Sequence, residues 1–356
     1  MTVPTKLRAG RAAGPRPLRL PAGLSLRVER RALAVGLLLA VAALALAVVL
    51  IGTGDFEIAP ADVVQTLLGN GTPANDFIVN DLRLPRVLVA LLVGAALGMS
   101  GAVFQSVSRN PLGSPDLLGF GYGSAVGALV VIIVFHGGAT EVALGAVIGG
   151  LIAGLGVYLL AYKQGISGYR LVLVGIGASA MLVATIQYLL TKAQLVEATR
   201  AMVWLTGSLA GRDWAQVWPL LATCAVLFPL VLLQGRALRI MEMGDDAAYA
   251  LGVRVERTRM LLMVAAILLT TAASAAAGPI SFVALAAPQL ARRLTRSPGA
   301  GLLTGALMGA VLLMLSDWAS QRAFGADQLP VGVVTGLVGG VYLLWLLVTE
   351  RKAGRI

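Results

Sequence analysis

Residue types that support catalysis or metal binding are scarce in this sequence and do not stand together. Among the 356 residues there is one cysteine, Cys224, inside an apolar run, and one histidine, His136, followed by two glycines. A lone cysteine forms no intrachain disulfide, and a thiolate metal site needs partners, so we expect Cys224 to serve packing. The position of His136 at the end of an apolar run favours an interfacial loop residue over a haem or metal ligand. We therefore predict no catalytic residue and no metal site in this chain.

Two arginines stand three residues apart in the segment DLRLPRVL, residues 81–88. Arg83 and Arg86 precede a long apolar run, and Pro85 suits the first turn of a helix. The predicted topology puts this segment on the outer face of the membrane, where basic residues in short loops are uncommon. The two charges therefore indicate an acidic partner on the outer face, and the alternative is an anchor to lipid headgroups.

Prolines and glycines interrupt the segment QSVSRNPLGSPDLLGFGYGSAVGA, residues 105–128. Irregular backbone at membrane depth is tolerated only where protein or a water-filled cavity covers it. The segment is predicted to be either a lining element of a transport pathway or a cytoplasmic turn, and periodicity does not decide between the two.

A third polar segment, residues 234–259, reads QGRALRIMEMGDDAAYALGVRVERTR. A short amphipathic helical pattern lies within it between Gly244 and Gly252. The pattern places Met243, Ala247, Ala250 and Leu251 on one side and exposes Asp245, Asp246 and Arg254. A short cytoplasmic helix of this kind suits a groove in a partner protein, and the alternative is a helix lying on the bilayer surface.

Transmembrane helices must position these segments. The chain is 58% hydrophobic and only 13% charged, with a mean hydropathy of +0.86, whereas a soluble domain is about half apolar and a quarter charged. Runs of the roughly 20 apolar residues that cross a bilayer core alternate with short polar segments. The fold class predicted is therefore an all-α polytopic membrane protein.

Hydropathy predicts about ten spans. They are residues 32–51, 85–107, 117–135, 142–162, 171–190, 215–234, 260–278, 280–295, 300–321 and 331–349. The seventh and eighth are separated only by Gly278 and Pro279, because a proline lacks the N–H that continues a helix. Sequences rich in Gly, Ala and Ser, such as residues 94–102 and 270–278, predict close packing between helices.

The distribution of basic residues supports this count and orients the chain. With the amino terminus inside, the predicted cytoplasmic segments hold 22 of the 28 Lys and Arg residues, as expected when short basic loops stay in the cytoplasm. Residues 1–31, with eight basic residues and one acid, are predicted to be a disordered cytoplasmic tail, followed by a ten-helix domain at 32–350 and a second cytoplasmic tail at 351–356. The net charge of +11 is explained by this topology and by attraction to anionic lipid better than by nucleic-acid binding.

Five strings in this sequence resemble the FecCD family of ABC-importer permeases, and the resemblance covers roughly residues 32 to 350. They are LRLPRVLVALLVGAALGMSGAVFQ, RNPLGSPDLLG, ALGV, AGPISFVALAAPQLARRL and QLPVGVVTGLVGGVYLLWLL. Within the family, the sequence resembles siderophore permeases of the ferric-enterobactin type. In AAPQLARRL the family often has a histidine after the proline, where this chain has Gln289, and this favours ferric siderophores over cobalamin.

The resemblance implies the type II ABC importer fold and a set of partners. These are a second permease subunit, identical or homologous, two cytoplasmic ATPase subunits, an extracytoplasmic substrate-binding protein and a ferric siderophore, in the cytoplasmic membrane of a bacterium. This chain has no G-x-x-x-x-G-K-[ST] phosphate loop. It is therefore expected to be no enzyme and to hold no cofactor, with ATP and Mg on the ATPase.

The resemblance also assigns roles to residues. Arg83, Arg86 and Arg322 would dock the substrate-binding protein. Many relatives have the third arginine four residues after an aspartate, but here Gln321 stands four residues after Asp317 and Arg322 follows. The ATPase-coupling helix would comprise Gly244, Asp245, Ala247, Ala248, Ala250, Leu251 and Gly252. Pathway or gate candidates are Asn110, Pro111, Gly113, Pro288 and Gln289.

Other functions remain open at this point. The same fold could import cobalamin or haem. A secondary transporter of a different class would work without ATP, but it is expected to need an ionisable residue at mid-membrane, and the spans hold none at their centres. A membrane-embedded enzyme would need a nucleophile with a base or paired carboxylates, and the sequence offers neither arrangement.

Overall fold

A computed structural model describes residues 18–19, 25–26, 30–54, 56–116, 118–162, 168–297, 299–323 and 329–352. Nearly all of these residues are helical. Leu18–Arg19 (β1) and Ser25–Leu26 (β2) pair in antiparallel fashion. The rest of the predicted tail before Arg30 and the last four residues of the predicted tail at 351–356 lie outside the described residues.

The helices follow one another with short connections. In chain order they are α1 Arg30–Gly52, α2 Pro60–Leu67, α3 Pro73–Asp76, a π-helical segment Phe77–Arg83, α4 Leu84–Ser108, α5 Phe120–Ile133, α6 Ala139–Ala161, α7 Gly168–Lys192, α8 Leu195–Leu205, α9 Trp214–Leu233, α10 Gly235–Met241, α11 Asp245–Ala250, α12 Val255–Ala277, α13 Val283–Thr295, α14 Leu302–Arg322 and α15 Val331–Lys352.

Each of the ten predicted spans corresponds to one helix, so the all-α multi-pass architecture is confirmed. Seven helical stretches within the described ranges are long and apolar enough to cross a membrane: α1, the continuous stretch Pro73–Ser108, α6, α7, α9, α12 and α14. α5 and the first 15 residues of α15 are apolar but shorter. α13 is shorter still, with 13 residues. Each of these three begins after a Gly- or Pro-containing connection.

Several helices were not predicted. The stretch that includes α4 begins at Pro73, not at 85, because Pro73 opens a helix that the polar residues before Arg83 continue. α8 lies in a segment for which no helix was predicted, because its amphipathic pattern is too short and too charged for a membrane span. α5 begins at Phe120 and not at 117, because Gly119 adopts a left-handed backbone with φ 84°.

The helices alternate between two ends of the molecule. At one end, here called the basic end, side chains join the segments predicted to be cytoplasmic. The contacts are Arg31 to Leu294, Arg109 to Met241, Arg259 to Asp245, and Arg293 over the Trp345 ring. At the opposite end they join segments predicted to be outside: Arg83 to Ile51, Arg86 to Asp317, and Trp214 to Asn80. The two sets do not mix.

Glycines bring α4 and α14 into backbone contact at the centre of the bundle. A Cβ added at Gly98 would strike the carbonyl oxygen of Gly305, and one added at Gly309 would strike that of Gly94. Both helices thus present a glycine every four residues along the shared face, which is how helices approach closely in lipid. The predicted packing of residues 94–102 is confirmed.

The break between the seventh and eighth spans falls where the sequence predicted it. α12 ends at Ala277, Gly278 takes φ 78°, and α13 begins only at Val283. Gly101 of α4 lies against the Ala284 backbone, so α13 begins beside the middle of α4 and not at a bundle end. The chain therefore turns back inside the bundle, and its exposed backbone lines a cavity.

Candidate functional site

A cavity of about 410 Å³ lies among α5, α7, α12 and α15. Residues from the irregular connections and from these helices line it: Asp116, Gly121, Tyr122, Ala125, Val183, Ile186, Gln187, Leu205, Thr206, Ser274, Pro279, Ile280, Ser281, Gly332 and Val333. Tyr122, Gln187 and Val333 are also exposed at the molecular surface, so the cavity is open to the surface of the subunit. Its lining is mostly apolar with a few hydroxyl and amide groups and the carboxylate of Asp116, as is usual for a small-molecule site.

The irregular segment after α4 reaches this cavity. Asp116 and Ser281 line both the large cavity and an adjoining one of about 160 Å³, which also includes Ser114. The Gln289 side chain donates from Nε2 to the Pro111 carbonyl at 2.6 Å. Residues of the segment 105–128 form cavity walls, so it is more than a surface turn, and its role as a lining element of a transport pathway stays a prediction.

The predicted pathway or gate residues come together, but beside the cavity and not in its wall. Gln289 donates to Pro111 and accepts from the Tyr342 hydroxyl at 3.2 Å, so it joins the connection to α15. The Asn110 side chain accepts from the Leu112 N–H at 2.9 Å, which fixes a turn. Gly113 lies against the Ser108 hydroxyl, and Pro288 is buried inside α13 opposite Gly305. These hydrogen bonds and contacts link the connection after α4, α13 and α15.

Arg83 and Arg86 are brought to the predicted outer face but are bonded within the chain. Arg83 donates to the carbonyls of Ile51 and Phe56, each at 2.6 Å. Arg86 donates with two nitrogens to the carboxylate of Asp317, at 2.7 and 3.2 Å. The two guanidinium groups lie on different neighbours and do not form one free patch.

The Asp317 carboxylate is fully buried and takes a third donor, Gln321, at 2.9 Å. The unusual glutamine four residues after the aspartate therefore has an internal partner. Arg322, the next residue, is 40% exposed and approaches Glu57 at 3.9 Å. It is the most exposed of the three arginines predicted to dock a binding protein.

The predicted coupling segment forms the short helix α11, which begins after Gly244 at φ 122°. Ala248 is fully buried and packs with Met241 and Val255 in a small apolar cluster. Met243, Tyr249 and Leu251 are exposed on the other side. The segment therefore has one face packed on the bundle and one face open at the basic end.

Asp245, predicted to be exposed, is 36% exposed and is also bonded to the bundle. Its carboxylate accepts two bonds from Arg259 Nη2, at 2.8 and 2.9 Å, and one from Arg109. Burial raises the pKa of Asp245, but the bonds and charges of Arg259 and then Arg109 outweigh it and hold that pKa below its ordinary value. The ion pairs are therefore intact at neutral pH and weaken only as pH falls through this depressed pKa.

The lone histidine and cysteine lie where the sequence suggested. His136 is in the connection between α5 and α6 at the opposite end, and its Nδ1 lies 2.9 Å from a Glu197 carboxylate oxygen. Cys224 is buried within α9. Among the described residues, no three side chains of His, Cys, Asp or Glu are grouped to hold a metal ion.

Comparison with known proteins assigns the family. The sequence profile of the FecCD transport family matches residues 32–349. The chain belongs to the FecCD transport family. This match includes the irregular connection, the coupling segment and the outer arginines, so every predicted site lies within the part of the chain that the family shares.

Several characterised FecCD proteins are similar to this chain over most of its length. The ferric enterobactin transport system permease protein FepG of Escherichia coli (strain K12) is 46% identical over 325 residues, which cover 91% of this chain and 98% of that protein. The achromobactin transport system permease protein CbrC of Dickeya dadantii (strain 3937) is 37% identical, covering 91% and 92%.

A solved structure of a metal-chelate type ABC transporter in an inward-facing conformation has the same fold. It aligns with a TM-score of 0.77 and 26% sequence identity over 90% of this chain and 99% of the other. This chain is accordingly a multi-pass membrane subunit of the ABC permease type.

Sequence reasoning missed a buried polar group in this FecCD permease. Gln105 of α4 donates to the Leu285 carbonyl at 3.0 Å, and its other amide atom accepts from Arg292. The signal was weak, because a glutamine at the end of an apolar run reads as a boundary residue. Its hydrogen bonds link α4 to α13 at Leu285, close to the start of α13, and at Arg292.

Proposed function

We propose that this FecCD permease is the membrane-spanning subunit of an ATP-driven importer that carries a ferric siderophore across the cytoplasmic membrane of a bacterium. The observation that carries the proposal is the 46% identity to FepG across nearly the whole of both chains. Because the similarity is continuous, it includes the cavity, the connections and the loops, and not only the apolar helices that any polytopic protein needs. CbrC is named for achromobactin transport, and the solved structure is named as a metal-chelate type transporter.

The proposed importer contains further chains. A second permease, identical or homologous, completes the pathway, and two ATPase subunits bind at the basic end, which we assign to the cytoplasm. ATP and Mg are bound by those subunits, and this chain needs no cofactor. Support comes from the charge asymmetry of the loops and from the exposed face of α11, since an exposed apolar patch on a short helix suits a partner's groove.

The opposite end receives the extracytoplasmic binding protein in this proposal. Arg322 supplies an exposed charge there, while Arg83 and Arg86 contribute through guanidinium groups that also hold the fold. Charges of this kind orient and accelerate encounter more than they add affinity. In this proposal, a group of residues beside the cavity changes shape as the subunit rearranges, and this is its role in the pathway. The group comprises Asn110, Pro111, Gly113, Pro288 and Gln289.

Uptake of labelled chelates tests the function. Iron-starved cells with and without this gene are given catecholate, hydroxamate and mixed ferric siderophores, with cobalamin and haem as comparisons. The expected result is loss of one class of iron chelate, restored when the gene is returned. Loss of cobalamin or haem uptake alone would show that the substrate is not a ferric siderophore. Uptake driven by an ion gradient in vesicles that lack the ATPase would contradict the importer mechanism.

A further inference from the structure

One carboxylate at the basic end joins three elements. Asp245 is the first residue of α11, Arg109 directly follows α4, and Arg259 lies in the second turn of α12. Arg259 Nη2 contacts both carboxylate oxygens at 2.8 and 2.9 Å, and Arg109 Nη2 donates to one of them. Two guanidinium groups from different helices thus fix the orientation of one short helix.

The same arginines extend the link on either side. Arg109 also donates from Nε to the Met241 carbonyl at 3.1 Å, which holds the end of α10. Arg259 is only 3% exposed and donates from Nη1 to Glu256 at 2.8 Å. The α10–α11 unit is therefore tied to α4 and α12 by charge as well as by the Met241, Ala248 and Val255 cluster.

The two helices that receive this link form the centre of the bundle. Most of α4 is buried, and Ser100 of α4 bonds to the Ala266 carbonyl at 2.9 Å and to the Thr270 hydroxyl at 2.8 Å on α12. Gln105, one turn before the end of α4, bonds in turn to α13. A displacement applied at Asp245 therefore reaches the helices that surround the cavity through packed and hydrogen-bonded contacts.

The ionic cluster also has unused bonding capacity. Arg259 Nε and Glu256 Oε2 are buried and find no hydrogen-bond partner within the described part of the chain. Most buried polar atoms are paired, so these two are able to form new bonds when α11 moves. A link that conveys motion needs a second arrangement of this kind.

We propose that Asp245, Arg109 and Arg259 form an ionic clamp that transmits movement of α11 to α4 and α12, while the exposed face of α11 makes the contact with the ATPase. The proposal rests on the importer function above and assigns the two faces of one short helix to different tasks. Arg109 and Arg259 are positioning residues in this scheme, because they act through Asp245 and not on ATP or chelate.

The test uses the complete importer in proteoliposomes with the variant Arg109→Gln. Arg109 is partly exposed, so the variant is expected to fold and to co-purify the ATPase in wild-type amount. Transport per ATP hydrolysed should fall roughly tenfold, within the range found for residues that modulate coupling. Arg109→Lys should recover much of it by keeping the charge, and the matched control Arg257→Gln, an exposed arginine two residues before Arg259, should transport like the wild type.

Hydrogen exchange in the same complexes, with and without vanadate-trapped nucleotide, gives a readout that needs no chelate. In the wild type, trapping should change exchange in α11 and at the adjoining ends of α4 and α12. In Arg109→Gln the change should be lost at the end of α4 but persist at the adjoining end of α12, because Arg259 still binds Asp245. An equal response at the end of α4 in both proteins would overturn the clamp, whichever chelate is carried, whereas failure of the wild type to take up any iron chelate would overturn the proposed function.

Discussion

Arg86 and Asp317 show how a residue predicted for docking is also part of the fold. Asp317 is fully buried on α14, and Arg86 supplies two of its three side-chain hydrogen bonds. A buried carboxylate without its partner is costly, so the pair fixes α4 to α14 at the opposite end of the molecule. Any contact that Arg86 makes with an outside partner competes with this bond.

Replacing Arg86 with Gln should destabilise the protein by about 3–5 kcal/mol, because it leaves the buried Asp317 carboxylate without its ionic partner. The double variant Arg86→Gln/Asp317→Asn should recover a large part of that loss, since neither site then carries a charge. Thermal unfolding in detergent measures both variants. Arg322→Gln serves as the control and should change stability little, because its pair with Glu57 is exposed. Equal stability of the wild type and the Arg86 variant would show that the pair does not hold the fold.

At the scale of elements, the closeness of α4 and α14 depends on residues without side chains. Gly94, Gly98, Gly305 and Gly309 allow the two backbones to touch. The sequence predicted close packing for residues 94–102, because small residues are enriched where membrane helices meet. It did not identify the partner helix, since a stripe of small residues fits any similar stripe.

Gly98→Ala should destabilise the bundle, because the new methyl group overlaps the Gly305 carbonyl and the helices must separate. The matched control is Gly156→Ala on α6, where an added Cβ meets no atom within 4 Å. There alanine should be neutral or stabilising by up to about 1 kcal/mol, through its better helix propensity. Unfolding midpoints of the two variants in the same detergent give the comparison. If both shifted equally in the same direction, contact between α4 and α14 would not be the cause.

At the scale of the molecule, α7 and α15 carry apolar side chains that no other element of the described chain covers. Leu337 and Val341 of α15 and Ile176 of α7 are exposed, and both helices contribute residues to the cavity wall. Gly336 and Gly340 of α15 face open space, with the spacing of a helix-pairing stripe. This face is where we place the second permease subunit.

Gly340→Leu should therefore reduce assembly of the two-permease complex by several fold while leaving the single subunit folded, because the new side chain meets nothing in its own chain. Gly156→Leu on α6 adds the same bulk on a different open surface and should assemble normally. The fraction of paired permease is measured by native mass spectrometry after mild detergent extraction. Normal pairing of the Gly340 variant would place the partner elsewhere on the surface.

The sequence by itself determined which stretches span and where most of them end, because twenty apolar residues in lipid must form a helix that satisfies its own backbone. It also located the break at Gly278 and the short helix after Gly244, where local backbone preference decides. The bundle core, the ion pairs of Asp245, the internal bonds of Arg86 and the position of the cavity were decided only by the tertiary structure. Each depends on residues distant in sequence, such as Asp317 for Arg86 or Arg109 for Asp245, and a contact between two helices leaves no local pattern in either one.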